Sequence, residues 1–126
     1  LDGRFDAIVM NYANADMVGH TGRWEATIAA VEVLDECLAR LADATLRAGG
    51  LLAVTADHGN AEEELDEENN PITAHTTNAV PFVLIGKGLH GTLAGGGKLG
   101  DVAPTLLHLM GLTIPQQMTG VDLLRT

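Results

Sequence analysis

Apolar positions along the chain fall into short runs and one long periodic stripe, and these predict most of its elements. Phe5 to Tyr12 holds the run Ala7-Ile8-Val9-Met10, bounded by polar residues, which predicts a first strand covered on both faces. From Trp24 to about Leu46, Trp24, Ile28, Val31, Leu34, Leu38, Leu41 and Thr45 recur at every third or fourth position, with Glu25, Glu32, Asp35 and Arg47 off the stripe. That spacing predicts an amphipathic helix, with Thr21 as N-cap, Gly49-Gly50 as its stop, and Trp24 and Leu34 as core anchors. Leu51 to Thr55 predicts a second strand, and strand–helix–strand order predicts a right-handed crossover between parallel strands. Asn60 to Ala79 is polar and reads as a long loop, and Val80 to Ile85 as a third strand of open direction. After the glycine-rich stretch Gly86 to Gly100, Asp101 precedes the apolar run Val102 to Met110, a short final helix that Gly111 stops. The expected fold class is α/β.

Composition adjusts this picture in three ways. With 126 residues and 46% apolar content, the chain is the size of one domain, 1–126, able to build a core. Leu1 lies close to an apolar run with no initiator Met before it, so the chain is expected to be part of a longer protein. Seventeen acidic against seven basic residues give a net charge of −10, which argues against nucleic acid or an anionic membrane as partner. An anionic substrate would need bound cations to invert the local field. Cys37 has no second cysteine to pair with, so a disulfide framework is excluded. No apolar run approaches the ~18 residues of a membrane span and no leader pattern is visible, so a cytoplasmic protein is expected.

The need for cations directs attention to the ligand-bearing motifs. In parallel sheets ligands gather at the carboxyl ends of strands. After the first strand, Asp16 and His20 lie four positions apart; after the second come Asp57 and His58, followed by Gly59 to let the backbone turn away; the long loop then brings His75. Two Asp and three His make a mixed set suited to manganese or zinc, and five ligands exceed what one open catalytic ion takes, so two ions are the natural count. Taken singly, Asp16 and His20 also read as a loop carboxylate and a capping histidine, and His75 alone carries little. Glu62, Glu63, Glu64, Asp66, Glu67 and Glu68 lack the spacing of a calcium loop and read as a solvated segment. His108 reads as a helix-packing residue, His90 as a loop residue without a partner nearby in sequence, and Cys37 as a small core or boundary residue.

Together, Asn14-Ala15-Asp16-Met17-Val18-Gly19-His20-Thr21-Gly22, Thr55-Ala56-Asp57-His58-Gly59-Asn60-Ala61-Glu62 and Thr73-Ala74-His75-Thr76-Thr77-Asn78 resemble the cofactor-independent phosphoglycerate mutases of bacterial and plant type, in the alkaline phosphatase superfamily. The resemblance extends through Asp101-Val102-Ala103-Pro104-Thr105-Leu106 to Met118-Thr119-Gly120. It implies part of a three-layer sandwich with a largely parallel sheet, residues 1–126 being the C-terminal portion of a metal-binding phosphatase domain. It also implies interconversion of 3-phosphoglycerate and 2-phosphoglycerate, in glycolysis and gluconeogenesis, through a phosphoserine at a two-manganese site, in an enzyme expected to be monomeric. On that resemblance Asp16, His20 and His75 hold one ion and Asp57 and His58 the other. The chain contains no serine, so the family's nucleophile is missing from it. Thr21, Thr55, Thr76 and Thr77 match threonine positions without a nucleophilic role, and the substrate-binding domain has no counterpart. The 126 residues alone are therefore expected to bind metal weakly and to show no turnover. The rival readings are another phosphomutase or phosphohydrolase of the same superfamily and a non-enzymatic metal-binding module.

Overall fold

The apolar stripe folds as its spacing predicts, into a helix at Trp24–Arg47 that follows a shorter one at Asn14–Gly19; these are α2 and α1. The computed structural model describes residues 3–125, so Leu1, Asp2 and Thr126, the ends of the expected 1–126 domain, lie outside the described residues. Past α2, the N–H groups of Ala48, Gly49 and Gly50 bond the carbonyls of Ala44, Leu46 and Thr45 at 3.1, 3.3 and 2.9 Å, with Gly49 at φ +73°. The glycine stop is as expected. The start is not: the N-cap position is Arg23, and Thr21 donates its hydroxyl to the Val18 carbonyl at 2.6 Å instead, closing the end of α1.

Strands β1 (Leu51–Thr55) and β2 (Phe82–Gly86) pair antiparallel, in register from Leu51↔Gly86 to Thr55↔Phe82. This settles the direction of the third apolar run. It also fixes where the intervening loop lies, because an antiparallel pair sends residues 56–81 out from and back to one end of the ladder. The Thr55 hydroxyl closes that end by donating to the Pro81 carbonyl at 2.8 Å. Isolated bridges Gly59↔Thr76 and Leu65↔Pro71 carry the antiparallel arrangement into the loop. Helix α2 packs on β1 and β2, and α1 packs on α2.

Two expectations for this part of the chain are corrected. Residues 5–12 form no strand, and Phe5 and Val9 are 72% and 96% exposed. A strand exists only where a neighbour takes up its N–H and C=O groups, and among the described residues this run pairs with no other strand. The parallel crossover is accordingly not formed among the described residues, where both ladders are antiparallel. Trp24, expected in the core, is exposed together with Ile28 and Val31, and the three line a shallow apolar groove with Ala61. Leu34 is half-buried.

The chain divides into two compact units, Leu1–Lys87 and Gly88–Thr126, the division falling at the start of the glycine-rich stretch. The second contains β3 (Thr92–Leu93), a 3-10 turn at Leu99–Asp101, α3 (Val102–Leu109) and β4 (Leu124–Arg125), with β3 and β4 antiparallel. Gly111, at φ +70°, follows the α3 C-cap Met110 as expected. Polar groups hold this unit. The Asp101 carboxylate accepts the N–H groups of Val121 at 2.8 Å and Lys98 at 2.9 Å, bonds that keep its pKa below the usual carboxylate value. Fully buried Thr105 donates its hydroxyl to the Asp101 carbonyl at 2.7 Å and accepts the Leu123 N–H at 2.9 Å. His108, read from the sequence as a packing residue, instead pairs through Nδ1 with Asp122 Oδ2 at 2.5 Å.

Replacing Thr105 by Val keeps its shape but leaves the Leu123 N–H buried without an acceptor. The expected cost is about 1–3 kcal/mol, read as a lower urea midpoint at unchanged m-value.

Candidate metal centre

Helix geometry and strand pairing together deliver the chemistry-bearing residues to one place in the first unit. Residues four apart share a helix face, so α1 and its C-cap set His20 Nε2 3.2 Å from Asp16 Oδ1. His20 Nδ1 lies 2.6 Å from the Thr73 carbonyl. A carbonyl only accepts, so Nδ1 carries the proton and Nε2 keeps its lone pair. From the end of β1 the chain passes to Asp57 and His58, and the returning loop supplies His75. His75 Nε2 lies 3.1 Å from Asp16 Oδ1 and 3.1 Å from His20 Nε2; His58 Nε2 lies 3.9 Å from the same carboxylate oxygen. The His58 and His75 rings stack, with centroids 3.6 Å apart and planes within 16°.

Three ring nitrogens thus surround one oxygen, and that oxygen is buried without a hydrogen-bond donor. The bare His20 Nε2 turned toward the carboxylate oxygen 3.2 Å away repels it. A cation between them reverses that sign. Asp16, His58 and His75 each offer a ligand atom within 4.8 Å of the others, and a mixed imidazole and carboxylate set has the chemistry to hold a borderline divalent ion. The orphaned Asp16 oxygen is the observation that fits such an ion.

Of the five residues expected at the site, Asp16, His20, His58 and His75 come together. Asp57 sits at the rim, its side chain 77% exposed and its Oδ1 3.6 Å from His58 Nε2. The geometry draws no line between the sets Asp16/His20/His75 and Asp57/His58, because His58 stacks on His75 and shares its carboxylate. Gly59 does not take a left-handed turn. It is buried, and a Cβ there would collide with the Thr76 hydroxyl and the Glu62 carboxylate, so glycine is required by close approach rather than by φ.

Glu62 is the residue the sequence reading passed over as part of a solvated segment. Its Oε1 accepts the Thr76 hydroxyl in a short bond and Asn78 Nδ2 at 3.0 Å, and its Oε2 accepts the Asn60 N–H at 2.7 Å. Its signals in the sequence were its place at the end of the Thr55 to Glu62 motif and its position four residues past His58. Elsewhere in that acidic segment Asp66 organises a turn, accepting the Asn70 N–H at 2.7 Å and the Glu68 N–H at 3.0 Å, and its pKa is lowered chiefly by the Asn70 side chain. Glu64 is not solvated at all: it is 2% exposed, with neither carboxylate oxygen hydrogen-bonded.

The family model described as the metalloenzyme superfamily matches residues 1–114. Among curated relatives, a 2,3-bisphosphoglycerate-independent phosphoglycerate mutase of Gloeobacter violaceus is 54% identical over 96% of this chain and 24% of its own length. Its namesakes in Nostoc punctiforme and Rhodopirellula baltica are 51% and 55% identical, each over 98% of this chain and over 25% and 23% of their own lengths. The chain thus spans about a quarter of these relatives. A crystal structure of Leishmania mexicana phosphoglycerate mutase at low cobalt concentration superposes with a TM-score of 0.86 at 33% identity, over 98% of this chain and 26% of that one. That likeness bears out the expected α/β class of alkaline-phosphatase type.

The hydrogen bonds at Glu62, the Thr76 hydroxyl foremost, lower its pKa from the usual 4.5 to about 2, against a smaller opposing effect of desolvation. A depressed folded-state value means that its contribution to stability is complete above about 4.5 and is lost as pH falls toward about 2. A carboxyl carbon-13 NMR titration is expected to show Glu62 with a midpoint near 2; an ordinary carboxylate midpoint would mean that the three bonds are not formed in solution.

Proposed function

Because the chain belongs to the metalloenzyme superfamily, we propose that the protein carrying it interconverts 3-phosphoglycerate and 2-phosphoglycerate, and that this segment supplies the metal ligands. The observation that carries the proposal is the convergence of three imidazole nitrogens on the donor-less Asp16 oxygen, within motifs resembling those of the mutases. The names of the curated relatives and of the Leishmania structure support the same reaction.

In this proposal Asp16, His20 and His75 hold one divalent ion and Asp57 and His58 another, manganese being the expected metal. Such ions would lower the pKa of a hydroxyl nucleophile and neutralise phosphoryl oxygens. The chain's own residues do the preparatory work. Thr73 keeps His20 Nε2 bare by accepting the Nδ1 proton. Asp16 contributes a carboxylate among the imidazoles, and exposed Asp57 leaves the rim open toward an incoming phosphate ester. With a net charge of −10, an anionic substrate is held here only where cations locally reverse the field. A reaction through phosphoserine draws its serine from outside these 126 residues, since none is present among them. The whole enzyme is proposed to be a cytoplasmic monomer of glycolysis and gluconeogenesis.

The test is an enolase-coupled assay of the complete gene product with 3-phosphoglycerate and manganese, and without bisphosphoglycerate. Manganese-dependent turnover is expected, falling to background in Asp16→Asn and His75→Ala. Slow hydrolysis of other phosphate esters in its place would move the protein to another branch of the superfamily.

A further inference from the structure

Two separate stretches of chain carry His58 and His75, yet their rings stack 3.6 Å apart. Something must hold the stretches together at that separation, and stacking of two imidazoles is too weak to do so alone. The bridge Gly59↔Thr76 contributes one backbone bond, Thr76 N–H to the Gly59 carbonyl at 2.8 Å. Beside it the Ile72 N–H bonds the Glu64 carbonyl at 2.8 Å, and the side-chain ties run through Glu62 and Glu63, chiefly Glu62. Glu62 Oε2 takes the Asn60 N–H on the His58 side, while Oε1 takes the Thr76 hydroxyl and the Asn78 amide on the His75 side. Glu63 adds a second carboxylate oxygen to the Asn78 amide at 3.0 Å.

We infer that Glu62 is a positioning residue for the metal centre: its carboxylate clamps the stretch bearing His58 to the stretch bearing His75, holding the two imidazoles in one fixed relation. The inference rests on the proposal that these histidines are metal ligands. The clamp needs a carboxylate specifically. All three partners are donors and an ionised carboxylate only accepts, whereas glutamine of the same size presents an NH2 group to at least one of them. Gly59 completes the device, because any side chain there would enter the space that the Thr76 hydroxyl and Glu62 occupy. Glu62 touches neither a ligand nitrogen nor the Asp16 oxygen in any recorded contact, so its effect is on ligand geometry.

The experiment measures Mn2+ affinity by calorimetry and the visible absorption of bound Co2+ in the complete gene product, for wild type, Glu62→Gln, Thr76→Val, Thr76→Ser and the double variant Glu62→Gln/Thr76→Val. Loss of a partner that orients a ligand typically costs about 10–100-fold in metal affinity, and a loss of that size is expected for Glu62→Gln, with an altered Co2+ spectrum. Thr76→Ser keeps the hydroxyl and should retain wild-type affinity. The double variant should be no weaker than the worse single variant, because both break the same clamp. Wild-type affinity and spectrum in Glu62→Gln would overturn the inference, as would a lowered apo melting temperature with metal binding unchanged. If Glu62→Gln does not fold, Thr76→Val and Asn78→Ala, each removing one donor, decide by the same criteria. No metal uptake by the wild-type protein would overturn the reading of the site itself, a result distinct from metal uptake that ignores Glu62.

Discussion

The rest of the first unit is arranged around a contact that is unfavourable as it stands: one carboxylate oxygen of Asp16, buried and without a donor, facing imidazole nitrogens on three sides. Burying an ionised carboxylate oxygen without a partner is costly, and the bare His20 Nε2 3.2 Å away raises the cost. Such an arrangement persists only if the surrounding chain over-determines it or if a cation is its intended occupant. Both hold in the proposed reading. Thr73 fixes the His20 tautomer, α1 fixes the spacing of Asp16 and His20, and the Glu62 clamp fixes His58 against His75. The repulsion between the Asp16 oxygen and the bare His20 nitrogen becomes attraction where a positive charge is shared between them.

The antiparallel pairing of β1 and β2 is what makes this preparation possible. Because Thr55 lies opposite Phe82, residues 56–81 start and finish at one point, and the candidate ligands at 57–58 and 75 are close in space although far apart in sequence. The Gly59↔Thr76 bridge then extends the same pairing outward by one step. A further close approach completes it: Gly19, at the end of α1, packs directly against the Asn60 side chain, so the loop that follows His58 seats on the helix that carries Asp16. The site is therefore the place where a ladder end meets a helix end.

Much of this was legible in the sequence, and the remainder was not, for identifiable reasons. Helices α2 and α3, strands β1 and β2 and the glycine stops follow from periodicity and local backbone preference, which act over a few residues. The metal-ligand candidates followed from residue type and spacing, and four of the five converge. Strand direction was not readable, because an apolar run such as Phe82 to Ile85 looks the same from either end. The exposure of Phe5, Val9 and Trp24 was not readable either, since an apolar residue declares only that it would bury if a surface were available. Helix α1 escaped notice because six residues without a side-chain cap carry too little pattern. Glu62 escaped because its neighbours Glu63, Glu64, Glu67 and Glu68 give the segment the look of a solvated acidic stretch, and only the fold singles out the carboxylate that faces three donors.

Burial shows why polar ties carry so much of the ordering. Besides Pro104, Leu123 is the one buried hydrophobic side chain among the described residues, and it belongs to the second unit. In the first unit the buried side chains of Thr27, Asn60 and Glu64 are polar, and each has at least one side-chain atom without a hydrogen-bond partner. Hydrophobic packing is nondirectional and tolerates small shifts, whereas a metal site tolerates a misplacement of only a few tenths of an ångström in its ligand atoms. Hydrogen bonds to a carboxylate are directional and among the stronger ones a side chain can make. A site whose ligands sit on loops, away from a close-packed core, is positioned by bonds of that kind or is not positioned at all. That requirement distinguishes Glu62 by the donors it ties together and not by burial, since it is exposed while neighbouring Glu64 is buried without a hydrogen bond.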